Sequence, residues 1–130
     1  MSSGVILVVD DDEIVLRTMG NMLKVLGVEA RTAMSGEEAL AWLEAGGAPA
    51  AVITDHLMSG MSGLELLGRA EVLAPSALQV LHTGLAVVEV TARPGFALTV
   101  LAKPAPMALL KRLLAAAVTR PVSETDARGR

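Results

Sequence analysis

Apolar positions along this chain fall into five short runs, at residues 5–9, 28–33, 51–54, 78–81 and 98–101. The first is apolar without interruption, the pattern of a parallel strand covered on both faces. Between most of the runs the spacing becomes helical. Residues 13–26 place Leu16, Met19, Leu23 and Leu26 three or four apart, and Gly27 closes the segment. Ser35-Gly36-Glu37-Glu38 has the residue types of a capping box and opens a helix through Ala45, stopped by Gly46 and Gly47. Ser62-Gly63-Leu64-Glu65 is a second such box, opening a helix through about Val72. Pro104 and Pro106 precede a last helix over residues 107–118.

The connection between the fourth and fifth runs breaks this alternation. Gly84, Arg93, Pro94 and Gly95 surround a β-branched stretch at 87–91, so a loop or short turn is expected there in place of a full helix. Residues 121–130 are polar and aperiodic and are expected to form a disordered tail behind one domain at 1–120. Strands alternating with helices predict an α/β fold, a parallel sheet with helices on both faces.

Composition acts mainly by exclusion. Hydrophobic residues make up 52% of the 130, which supports one packed core and argues against a disordered chain. With one Trp, one Phe and no Tyr, the stacking platforms of single-strand nucleic-acid binders are missing. A formal net charge of -3 without a dense Lys/Arg block also argues against nucleic acid as a partner. The absence of Cys excludes disulfides, thiolate metal sites and Cys nucleophiles. No apolar stretch reaches the roughly 18 residues of a membrane span, and no cationic stretch precedes the first apolar run. A cytoplasmic protein with no membrane partner is therefore expected. Glycine patterns for cradling nucleotide phosphates are lacking too.

In open parallel sheets, ligands bind at the carboxyl ends of the strands. Asp10-Asp11-Asp12 follows the first run, and Asp55 ends the third. The fourth strand ends in His82-Thr83-Gly84, and Lys103-Pro104 follows the fifth. Singly, each has a structural explanation: an Asp at a helix start is a good cap, and a Lys is commonly a solvated charge. Together they place several carboxylates, a hydroxyl and an amine at one edge. Carboxylates so gathered repel unless something neutralises them, and Mg2+ takes one or two carboxylates together with waters and phosphate oxygens. Asp is also a covalent nucleophile toward phosphoryl groups. Thr83 and Lys103 could hold phosphoryl oxygens. Zn2+ fits this set poorly because it prefers nitrogen and sulfur ligands, so His56 and His82 are expected to be packed or locally hydrogen-bonded. The seven Met residues are expected as core filler.

The segments Ile6-Leu7-Val8-Val9-Asp10-Asp11-Asp12-Glu13, Val52 to Leu66 and Leu101-Ala102-Lys103-Pro104 resemble the motifs of bacterial response-regulator receiver domains. The resemblance covers about residues 4–118. It implies a flavodoxin-like, doubly wound sheet of five parallel strands in the order 2-1-3-4-5. It further implies Asp55 as phosphoacceptor, taking phosphate from a histidine kinase or phosphotransfer protein. Mg2+ would be held by Asp11 directly, Asp10 through water, Asp55, and the backbone carbonyl of Leu57. Thr83 would be the switch hydroxyl and Lys103 the phosphate-contacting lysine, followed by a cis bond to Pro104. Asp12 has no role in the pattern beyond capping. The Thr-Asp-His-Leu-Met wording and the Leu-Ala-Lys-Pro ending are similar to receivers of hybrid sensor kinases or their free-standing relatives.

The chain also departs from that pattern. Val100 stands where an aromatic switch residue usually sits, three before the lysine, so the coupling of Thr83 to a swinging ring is expected to be absent or altered. The helix-poor connection after the fourth strand puts the usual output and dimer surface in doubt. Ser59 replaces a Pro, and Ala105 replaces a Phe. Leu57 overhangs the phosphoryl position with a side chain that cannot orient water. The last helix, with Leu109, Leu110, Leu113, Leu114, Ala117 and Val118, is expected to pack on the core, with a homodimer contact as the alternative. Two other functions compete: a phosphorylation-independent interaction domain, and an aspartate-nucleophile phosphohydrolase. The second wants Asp-x-Asp-x-Thr after the first strand, and Ile14 stands where that Thr belongs. No output domain is encoded in these residues, so an unidentified downstream protein is the expected partner.

Overall fold

The computed structural model describes residues 4–84 and 99–118. Their elements are β1 (Ile6–Val9), α1 (Glu13–Val25), β2 (Ala30–Ala33), α2 (Gly36–Glu44), β3 (Ala51–Thr54), α3 (Gly63–Leu73), β4 (Leu78–Thr83), β5 (Thr99–Ala102) and α4 (Met107–Val118). The strands form one sheet in the order β2-β1-β3-β4-β5, parallel throughout. This is the doubly wound, flavodoxin-like arrangement. The expected loop at 85–98 and the expected tail at 121–130 lie outside the described residues.

Side chains alternate across the sheet and so feed two cores. Ile6, Val8, Ile53, Val80 and Leu101 meet Leu16, Met19 and Leu23 of α1 and Leu110 and Leu114 of α4. Leu7, Val9, Val52 and Leu81 meet Leu40 and Leu43 of α2 and Leu66 and Leu67 of α3. Every residue of β1 and β3 is buried, and β1 accordingly reads as an unbroken apolar run. On α4, Leu110 and Leu114 face the core, while Leu109 is exposed.

The ends of the elements follow from local hydrogen bonding. Asp12 caps α1, its Oδ1 accepting from the N–H groups of Ile14 and Val15 at 2.9 and 3.4 Å. At the other end Gly27 takes φ 78°. There the Gly27 and Val28 N–H groups donate to the carbonyls of Lys24 and Leu23, a Schellman closure that needs a residue without Cβ. That closure corrects the expected start of the second strand. Val28 is spent on ending the helix, and β2 begins at Ala30. The fourth strand continues past the apolar run and ends at His82 and Thr83, as expected, where they pair with Leu101 and Ala102.

Of the two expected capping boxes, the first forms with its return bond displaced. The Ser35 hydroxyl accepts from the Glu38 N–H, while the Glu38 carboxylate accepts from the N–H of Met34. The second is half formed. The Ser62 hydroxyl accepts from Glu65, but the Glu65 carboxylate pairs with Arg69 at 3.0 Å. Arg69 lies one turn on and competes for that carboxylate.

Candidate functional site

Strand register sets the site. Val9 and Thr54 are partners across β1 and β3, so Asp10 and Asp55 leave the sheet side by side. One carboxylate oxygen from each of Asp10, Asp11 and Asp55 lies within 4.8 Å of the others. Backbone N–H groups hold all three. Asp12 donates to Asp10 Oδ1 at 2.9 Å, His56 to Asp55 Oδ1 at 2.9 Å and Ser59 to Asp11 Oδ2 at 3.1 Å.

Lys103 arrives from the far side of the sheet. Its N–H donates to the Thr83 carbonyl at 3.0 Å, and the following bond to Pro104 is cis, as expected. Lys103 Nζ lies 3.0 Å from Asp10 Oδ2 and 3.3 Å from Asp55 Oδ1. Burial works against the Lys103 charge, but the Asp10 hydrogen bond and the two carboxylates outweigh it and hold its pKa above the usual lysine value. Asp10 is 1% exposed, so this ion pair lies out of water on the Asp10 side.

Thr83 is buried at the end of β4, and Val100 is partly buried against the core cluster that includes Leu81. By alternation Thr83 and Val100 fall on the same face of the sheet, but the Val side chain has no ring to rotate. Leu57 lies 64% exposed, an open apolar surface two residues after Asp55. His56 and His82 are packed, and His56 Nδ1 and His82 Nε2 have no hydrogen-bond partner among the described residues. Burial, assisted by the nearby Lys103 charge, lowers the His82 pKa, against a smaller opposing pull from Asp10 and Asp55.

Two features of the site have no counterpart in the sequence pattern. The Ser59 N–H on Asp11 spans 48 positions and leaves no local signal. Gly63 packs so closely that an added Cβ would strike the Asp55 carbonyl oxygen, while its own N–H donates to the His56 carbonyl at 2.8 Å. In the sequence Gly63 is only a position within the second capping box, yet it seats α3 directly under the end of β3.

The donor set consists of hard carboxylate oxygens, which fits Mg2+ and not Zn2+. With Lys103 beside two of the carboxylates, the edge is equipped to hold a divalent cation and a phosphoryl group together.

Over residues 6–115 the chain matches the family model of the response regulator receiver domain, and it belongs to that family. Receiver domains are the phosphoacceptor modules of two-component signalling, a signalling family and not a class of metabolic enzymes, and they bind Mg2+ at an acidic pocket. Solved structures agree with the assignment. The receiver domain protein from Clostridium thermocellum is 28% identical, with a TM-score of 0.80 over 92% of this chain and 96% of that one. Response regulator protein TrrA from Thermotoga maritima, in complex with Mg(2+)-BeF, is 30% identical, with a TM-score of 0.78 over 90% of this chain and 99% of that one. The receiver domain from hybrid histidine kinase CckA is 27% identical, with a TM-score of 0.74 over 88% of this chain and 99% of that one. No curated protein matches the chain at a significant level. No helix among the described residues is long and apolar enough to cross a membrane.

Proposed function

We propose that this chain is a phosphorylation-switched receiver in which Asp55 takes a phosphoryl group from the phospho-His of a histidine kinase or phosphotransfer protein. The observation that carries this reading is the cluster of Asp10, Asp11 and Asp55 within 4.8 Å, with Lys103 Nζ on two of them. The hydrogen bond and the ion pair to Asp55 both fall on Oδ1. Oδ2 is accordingly the attacking oxygen. It forms the new O–P bond as the N–P bond of the donor breaks, and the donor ring, already protonated on its other nitrogen, takes the N–P electron pair and leaves as neutral imidazole.

Asp11, Asp55, the Leu57 carbonyl and, through water, Asp10 would hold Mg2+. Bound there, the ion supplies positive charge to the phosphoryl oxygens and lowers repulsion among the carboxylates. Lys103 and Thr83 take the remaining phosphoryl oxygens. The chain catalyses only its own phosphoryl transfer and dephosphorylation. Leu57, unable to orient a water molecule, slows the latter by covering the phosphoryl group. The switch then acts on an unidentified downstream protein by a route that Val100 makes different from the ring-swinging one. The fit to the hybrid-kinase type of receiver, the single domain at 1–120 and the tail at 121–130 belong to the same proposal.

The test is incubation with Mg2+ and acetyl phosphate followed by mass spectrometry. The expected result is one phosphoryl adduct on the wild type, mapped to the peptide carrying Asp55, and none on Asp55→Asn. An unmodified wild type would favour the phosphorylation-independent interaction domain. An adduct surviving Asp55→Asn would refute the site.

A further inference from the structure

Thr54, the last residue of β3, is polar yet 0% exposed. By alternation it faces the same apolar core as Val52, so an apolar residue would suit the packing and the hydroxyl needs its own account. That hydroxyl donates to the Asp55 carbonyl at 2.9 Å. The Met58 Sδ, at 4.0 Å, is the more distant and weaker acceptor. The Asp55 carbonyl shares one planar peptide with the His56 N–H, so fixing the direction of one end fixes the other. The His56 N–H in turn donates to Asp55 Oδ1 at 2.9 Å. Gly63 backs the Asp55 carbonyl so closely that a Cβ there would strike it, and the Gly63 N–H holds the next carbonyl, that of His56, at 2.8 Å.

We propose that Thr54 is a positioning residue for the phosphoryl-accepting carboxylate. Its hydroxyl holds the peptide between residues 55 and 56 so that the His56 N–H fixes Asp55 Oδ1 and leaves Oδ2 for attack. The inference rests on Asp55 being the acceptor. No water reaches a side chain at 0% exposure to replace the hydroxyl, so its removal takes this donor from the Asp55 carbonyl and lets the peptide tilt. Lys103 Nζ, 3.3 Å from the same Oδ1, does not stand in for the N–H, because it is a flexible amine shared with Asp10.

The test compares three variants of the full chain with the wild type. Thr54→Val keeps the branched shape without the hydroxyl. Thr54→Ala removes the hydroxyl without setting a methyl against the carbonyl, and so keeps the test decisive if the first variant fails to fold. Thr54→Ser keeps the hydroxyl. One measurement is the initial rate of adduct formation with Mg2+ and acetyl phosphate, read by mass spectrometry. The other is amide hydrogen exchange at His56 without phosphodonor, with the amides of β1 as the reference that a general loss of stability would move equally. Thr54→Val and Thr54→Ala should form the adduct about threefold to tenfold more slowly than the wild type. Their His56 amides should exchange faster by a similar factor beyond any change in β1, and Thr54→Ser should restore both. Wild-type adduct rates in the folded variants, His56 exchange that rises no more than that of β1, or Thr54→Ser behaving like Thr54→Ala would overturn the proposal alone. A wild type that forms no adduct would overturn it together with the reading of Asp55.

Discussion

The acidic half of the site hangs from β1 and β3, and the other half from β4 and β5, and the two are built differently. β1 and β3 are buried along their whole length, and each carboxylate they deliver is tied by a backbone N–H one to two residues on, or by Ser59. These bonds persist whatever the charge state of a partner side chain. Lys103 instead reaches the site from an edge strand that is only partly buried, and its amine is held by the carboxylates themselves. The acidic half is preorganised; the basic half is positioned by what it neutralises. A cation or phosphoryl group arriving at the carboxylates therefore meets Lys103, on the β4–β5 side, as the group already paired with them.

The largest effect should come from removing the link between the halves. Lys103→Met strips the buried Asp10 carboxylate of its cation. Because Lys103 is partly exposed, the expected loss of stability is about 2–4 kcal/mol, below that of a fully buried pair. Thermal melts should show Mg2+ restoring more stability to this variant than to the wild type. Equal gains would mean that Asp10 is not the charge at stake.

Next comes the seating of the acidic half. Gly63→Ala drives a methyl into the Asp55 carbonyl and should cost about 1–3 kcal/mol, although Ala is the better helix former. Gly20, with nothing within 4 Å of an added Cβ, provides the opposite sign. Gly20→Ala should gain about 0.5–1 kcal/mol in denaturant melts.

Adjacent aspartates should then separate by role. Asp12→Ala should lose about 1 kcal/mol by uncapping α1 while leaving Mg2+ affinity unchanged. Asp11→Asn should weaken Mg2+ binding by about tenfold or more, as read by calorimetry.

The smallest effect concerns His82. Burial lowers its pKa in the folded chain, so between the ordinary value of 6.5 and that lowered value the unfolded chain binds the extra proton. Stability from this source is complete above about pH 6.5 and declines as the pH falls below it. His82→Asn should flatten that decline relative to the wild type in melts taken across the acid range.

Much of this was legible in the sequence because the signals were local or strictly periodic. Buried β1 appeared as an unbroken apolar run, the Asp12 cap stood immediately before its helix, and α4 kept the bounds its spacing implied. The errors arose where distant partners decided. Val28 reads as strand but is recruited to close α1. At the site, the strand-end aspartates announced themselves as like charges too close to be left alone. The bridge from Lys103 to Asp10 crosses 93 positions; placing both at one sheet edge brought them near without pairing them. The tight approach of Gly63 had no sequence signal beyond the glycine itself.

The central claim is that Asp10, Asp11, Asp55 and Lys103 form one phosphoryl-accepting site. Fluorine NMR of the protein with beryllofluoride, with and without Mg2+, tests it most directly. Bound fluoride resonances should appear only with Mg2+ present, should vanish in Asp55→Asn, and should be accompanied by amide shifts around Lys103 and Thr83. Bound resonances that persist in Asp55→Asn, or a wild type that never shows them, would contradict the account.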